Sequence, residues 1–140
     1  MRSSVRKGIA VLGLTAAVVG GAATSAMARS GNGSIWVGMS TQNLDGNVYW
    51  WASGSNHGGM EVSGNLNDTS ADDNSVKAEA KVSGYGYTQI GTNSGGSGTS
   101  VWVDRVVYDP QATYVTYGYV QTCRFNGWGT DNCTFEYMSR

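Results

Sequence analysis

The stretch SVKAEAKVS, residues 75–83, limits the fold more than any other part of the chain. Val76, Ala78, Ala80 and Val82 alternate with Lys77, Glu79 and Lys81. A helix would scatter those charges around its circumference, whereas a strand places them all on one face in water. The same period of two recurs along the chain. In IWVGMST, Ile35, Val37 and Met39 oppose Trp36, Gly38 and Ser40; in VYWWAS, Val48, Trp50 and Ala52 oppose Tyr49 and Trp51. MEVSG, VWVDRVVY, TYVTYGYVQTCRF and CTFEYM read as further strands, with Trp102 alternating against inward Val101 and Val103. NLDGN, GSNHGG and Asp109-Pro110 interrupt them with turn chemistry. RSGNGS at 29–34 reads as a mobile start and GTNSGGSGTS as a flexible connection. GYGYTQI reads as a continuation of the 75–83 strand past a bulge or sheet crossing near Gly84. No apolar 3.6-residue pattern appears outside residues 8–23. Seven or eight short strands predict an all-β fold, an antiparallel β-sandwich or small barrel with a disulfide-stapled C-terminal hairpin.

The N-terminus has a different character. MRSSVRK is basic, GIAVLGLTAAVVGGAA at 8–23 is apolar or small throughout, and Ala26 and Ala28 form an A-x-A cleavage pattern. This three-part layout predicts a secretory signal peptide over residues 1–28 and export by the general secretion route. The apolar run is shorter than the roughly 20 residues a membrane span needs. Residues 29–140 are then expected to form a single β domain, extracellular and free of the membrane once the signal is cleaved. That domain carries six Lys/Arg against ten Asp/Glu. Such a balance lacks the basic stripe that nucleic acid or an anionic membrane would require.

Cys123 and Cys133 are the only cysteines. Counting alternate positions, Val115, Tyr117, Tyr119, Cys123 and Phe125 share one face, and Cys133, Phe135 and Tyr137 share a face on the partner strand. This parity predicts that both cysteines point toward the core with the aromatic residues, and RFNGWGTDN between them has hairpin-turn chemistry. A structural disulfide suits an exported protein. A metal site would need more ligands than His57, the one histidine, and two distant cysteines provide, so neither metal nor cofactor is expected.

Chemistry-bearing patterns are sparse. His57 in SGSNHGG is the only possible imidazole base, and no Gly-x-Ser-x-Gly elbow accompanies it. Glu61, Glu79 and Glu136 each read as the outward residue of a strand, so no carboxylate pair for glycoside hydrolysis is evident. The loop 65–74 offers Asn67, Asp68, Asp72, Asp73 and Asn74 as oxygen ligands for calcium, but without the spacing or glycine of a helix-loop-helix site. It reads first as a solvated turn. GTNSGGSG lacks the lysine of a phosphate loop. Aromatic residues give the stronger lead, because exposed Trp and Tyr present rigid contact area to proteins or sugar rings. Trp51, Trp102 and Trp128 are the candidate contacts, with Arg124 and Asp131 as rim residues around Trp128 at the hairpin tip.

DNSVKAEAKVSGYGYTQ, VWVDRVVYDP and CRFNGWGTDNC together resemble the small secreted single-disulfide proteins of streptomycetes and related actinobacteria. The resemblance covers most of residues 74 to 133. It implies export and a β fold, and it carries over no catalytic residue. Small exported β proteins of this kind also serve as adaptor subunits in secreted toxin assemblies. The expectation is a secreted, non-catalytic binding module whose partner is an extracellular protein or carbohydrate. The alternatives are a small extracellular hydrolase using His57, and a structural or adaptor subunit that pairs through exposed strand edges.

Overall fold

The computed structural model describes residues 29–126 and 131–140. The expected signal peptide, and Trp128 with its flanking glycines, lie outside them. The described chain is all-β: β1 (Arg29–Met39), β2 (Gln42–Trp51), β3 (Met60–Asp68), β4 (Val76–Val82), β5 (Thr88–Asn93), β6 (Thr99–Val107), β7 (Tyr117–Arg124) and β8 (Asn132–Ser139). They form two antiparallel four-stranded sheets, ordered β1-β2-β3-β6 and β5-β4-β7-β8. The first sheet is a meander to which β6 is added after the chain has crossed to the second sheet and back. No helix among the described residues is long and apolar enough to cross a membrane.

The strand that most constrains the fold behaves as its pattern requires. Val76, Ala78, Ala80 and Val82 are buried, and the charged residues between them lie on the outer face of the second sheet. Opposite, Ile35, Val37, Leu44, Val48, Trp50, Met60, Val62, Leu66 and Val103 line the inner face of the first sheet, and Val120 joins the core from β7. The sheets close tightly where β5 meets β6. A Cβ at Gly91 would come within 2.5 Å of Val103 Cγ2, so glycine lets these strands approach.

Several local readings change. Residues 29–34 are not a loose start but the first half of β1, paired with the last residues of β2. Gly84 is neither a bulge nor a sheet crossing. At φ +83° it shapes the turn after β4, and β5 returns antiparallel beside it. The connection Ser94–Gly98 is anchored by Asn93, which is fully buried. Its Nδ2 donates to Leu66 O and Thr99 O, each at 3.0 Å, and its Oδ1 accepts from Gly95 N and Thr99 Oγ1. One carboxamide thus ties β5, β3 and the start of β6 together. Val101 has the inward parity but is 38% exposed, whereas Val103 is buried as expected.

The largest correction concerns β7 and β8. The inner face of β7 is Gly118, Val120, Thr122 and Arg124, all buried. Gly118 faces inward because Met60 fills the space a side chain would need, with Met60 Cε 2.9 Å from the position of a Cβ. Arg124 faces inward because its charge is matched there: Nη1 lies 3.4 Å from buried Asp68 Oδ1, Nε donates to Asp72 Oδ2 at 3.0 Å, Nη2 binds Asp72 Oδ1, and Nη1 donates to Thr41 O. Both cysteines and the aromatic residues therefore lie on the outer face of the sheet, where Cys123 is nevertheless fully buried and Cys133 is exposed. Cys123 and Cys133 form the expected disulfide between directly paired residues of β7 and β8. Closing this short segment should contribute about 2 to 3 kcal/mol. Chemical denaturation of a Cys123→Ala/Cys133→Ala variant should show that loss with an unchanged strand signature by circular dichroism.

Candidate functional site

The outward turn of β7 and β8 creates the site. Antiparallel register sets directly paired residues side by side on one face of a sheet. Three rows follow across the second sheet: Thr92, Lys77, Cys123 and Cys133; Gln89, Glu79, Gln121 and Phe135; and Lys81, Tyr119 and Tyr137, with Tyr117 one step beyond on β7. The rings touch. Tyr119 lies 5.4 Å from Tyr137 and 6.0 Å from Phe135 in edge-to-face geometry, and Tyr117 lies 5.8 Å from Tyr137. Such contacts fix the ring orientations. Yet Phe135 and Tyr137 remain 61% and 54% exposed, and Phe125 extends the patch toward the disulfide.

Two lysines run along this aromatic surface. Lys77 lies 4.5 Å from the Phe125 ring and bridges Asp131 at 2.7 Å and Glu79 at 3.3 Å. Asp131 first, and Glu79 second, push its pKa up, so this ammonium stays charged and internally neutralised. Lys81 sits 4.5 Å over Tyr87 and 4.8 Å over Tyr119, and among the described residues it has no carboxylate partner. Burial is the main cause that raises the Tyr87 pKa, so its hydroxyl stays protonated beside this cation. The face thus combines clustered rings with one cation held by π-faces alone.

The sequence candidates fall in different places. Trp102 is on the outer face of the first sheet and 61% exposed. Trp51 is buried at 7%, not exposed. It ends β2, and the chain folds back there, with its N–H donating to Gly59 O and its carbonyl accepting from Arg140 Nη2. Arg124 is no rim contact, because it is 4% exposed and engaged with Asp68 and Asp72. Asp131 faces Lys77 at the edge of the aromatic patch. Trp128 lies outside the described residues, between the strands that carry the patch. The sequence does not single out Phe135, Tyr137 and Tyr119 as contacts, because their parity assigns them to the core. Their exposure depended on knowing that Arg124 is buried.

The other candidates do not assemble into a site. Of the expected loop 65–74, residues 65–68 are the end of β3 rather than loop; the Arg124 guanidinium engages Asp68 and Asp72, and no cluster of three or more metal-ligating side chains occurs among the described residues. His57 is exposed, stacks on Tyr108 at 4.9 Å and places Nδ1 3.1 Å from Ala112 O. Among the described residues no hydroxyl, thiol or carboxylate is hydrogen-bonded to its ring. Glu79 is outward as expected, but Glu61 is buried in the other sheet. Glu136 is exposed although it pairs with inward Val120. The three carboxylates lie on different surfaces. No family model, curated protein or solved structure gave a match to this chain.

Proposed function

We propose that this chain is a secreted, non-catalytic binding protein that docks a protein partner on the outer face of its second sheet. The observation that carries this reading is the contiguous aromatic cluster of Tyr117, Tyr119, Phe135 and Tyr137, packed ring to ring yet left open to solvent. Single exposed apolar residues are ordinary, whereas contiguous patches mark interaction sites. Aromatic anchors with a flanking cation are the composition of interface centres. The rings are also held in place before binding, which lowers the entropic cost of association. Lys81, matched by no carboxylate, calls for a partner whose apolar surface carries an acidic group near its edge. The disulfide and the N-terminal leader pattern support a partner outside the cell.

Phe135→Glu tests the reading. It adds a charge at the most exposed ring, on an edge strand where it removes no core packing, so folding should be unaffected. Wild-type and Phe135→Glu proteins are used as baits in native culture supernatant, and captured proteins are quantified by mass spectrometry. A partner retained by the wild type should drop at least about tenfold with the variant, as expected for loss of a central aromatic contact. Equal capture by both baits, or a partner that is another copy of this chain, contradicts the proposal.

A further inference from the structure

The first sheet has its own exposed face, of a different chemistry. In register, Trp36 pairs with Asp45, Asp45 with Asn65, and Asn65 with Trp102. These four residues form one row across all four strands, and all four are exposed, Trp36 at 56% and Trp102 at 61%. Three interstrand spacings place the two tryptophans about 14 Å apart. Between them stand a carboxylate and a carboxamide. Among the described residues neither side chain has a hydrogen-bond partner within the protein. The adjoining row holds Asn43, Asn67 and Ser100, with Asn67 Nδ2 donating to Asn43 Oδ1 at 2.7 Å.

We infer that this row is a carbohydrate-binding site for a single uncharged polysaccharide chain lying across the strands. Indole planes stack on the apolar C–H faces of sugar rings, and the two tryptophans are separated by the length of a short oligosaccharide. Asp45 accepts hydrogen bonds, and Asn65 both donates and accepts, which matches hydroxyl groups that do both. Charge sets the class. From Ser34 onward, the exposed outward positions of β1, β2, β3 and β6 carry Asp45 and Asp104 and no Lys or Arg; Arg105, also exposed, occupies an inward-parity position of β6, opposite Val62. Anionic glycans and nucleic acids are repelled from such a face. Shape narrows it further. Adjacent strands rotate by roughly 20–25° each, so the surface between the two tryptophans is twisted rather than flat. A single chain can follow that twist, and the flat face of a crystalline polymer cannot. The site is separate from the aromatic patch on the opposite sheet, and the two are tested by different substitutions.

The test is affinity electrophoresis of the mature protein in native gels containing one soluble polysaccharide each: hydroxyethylcellulose, mixed-linkage β-glucan, xylan, galactomannan or glycol chitin, with polygalacturonate as the anionic comparison. Retardation is expected in at least one uncharged polysaccharide and absent in polygalacturonate. Trp36→Thr and Trp102→Thr keep good strand formers in place and should each weaken that retardation about tenfold, as expected for loss of an aromatic stacking platform. Asn65→Asp should weaken it as well, while Phe135→Glu leaves it unchanged. The inference is overturned by no retardation in any uncharged polysaccharide, by retardation in polygalacturonate alone, or by retardation that either tryptophan substitution leaves intact.

Discussion

Arg124→Met should destabilise the protein by about 3 to 5 kcal/mol, because removing one partner of a buried ion pair leaves the other charge uncompensated. The stranded partner is Asp68, fully buried and 3.4 Å from Arg124 Nη1. For a small domain whose whole stability is about 5 to 15 kcal/mol, such a loss approaches the limit of folding. Adding Asp68→Asn to the variant should restore most of it. The carboxamide keeps the Oδ1 that accepts from Ser70 N, and the unmatched charge is gone. Urea denaturation of both variants measures this coupling, and a double variant no more stable than the single contradicts it. The same arginine governs acid stability. Its guanidinium, and after it the N–H of Asn74, hold Asp72 well below the usual carboxylate range. An unfolded Asp titrates near about 3.9, so below that pH the unfolded chain takes up a proton that native Asp72 still refuses. The stabilisation is complete above about pH 4 and is lost as pH falls from there toward the depressed native value. Arg124→Met should flatten this acid limb. Asp72 is partly exposed, so solvent screening limits the size of the effect.

Asn93→Asp is nearly isosteric and should nevertheless cost about 3 kcal/mol or more at neutral pH. Asn93 is fully buried, and its two N–H bonds reach carbonyls of two different strands. A carboxylate would instead aim an oxygen at Leu66 O and Thr99 O. The introduced group gains stability from protonation, so its folded pKa is raised. The destabilisation is therefore full above the folded value and eases as pH falls toward the unfolded one. Thermal melts of the variant and wild type at pH 7 and pH 4 check this: the gap in melting temperature should narrow at pH 4. A gap that is small at pH 7 would mean that Asn93 is not the tie between β5, β3 and β6.

The strands were legible wherever alternation and burial agreed. In β4, small apolar residues alternate with charges, and no other arrangement satisfies both. In β7 and β8 the same counting assigned the wrong face. Tyr117, Tyr119, Phe135 and Tyr137 outweigh Gly118, Thr122 and Arg124 in hydrophobicity, so the aromatic side read as the core. What decided the matter was long-range: Met60 needs the space over Gly118, and Asp68 and Asp72, far away in sequence, need the guanidinium of Arg124. Single-strand parity contains neither fact. The adjacent tryptophans fared similarly. Trp50 and Trp51 point to opposite sides of β2, yet both are buried, because the loop after β2 and Arg140 return over the strand end. Trp36 was visible as an outward residue. Its alignment with Asp45, Asn65 and Trp102 required the strand register, which the sequence does not state.

These parts give a protein with two unlike outer faces, clustered aromatic rings beside Lys81 on one sheet and a polar row ended by tryptophans on the other. On the proposed reading, a protein partner docks on the aromatic face. Site-specific photocrosslinking tests it most directly. A benzophenone amino acid replaces Tyr137 in one preparation and Asp45 in another, and each is irradiated in native culture supernatant. A discrete heterologous protein adduct is expected from position 137 and not from position 45. No adduct from position 137, an adduct with a second copy of this chain, or the same adduct from both positions would contradict it.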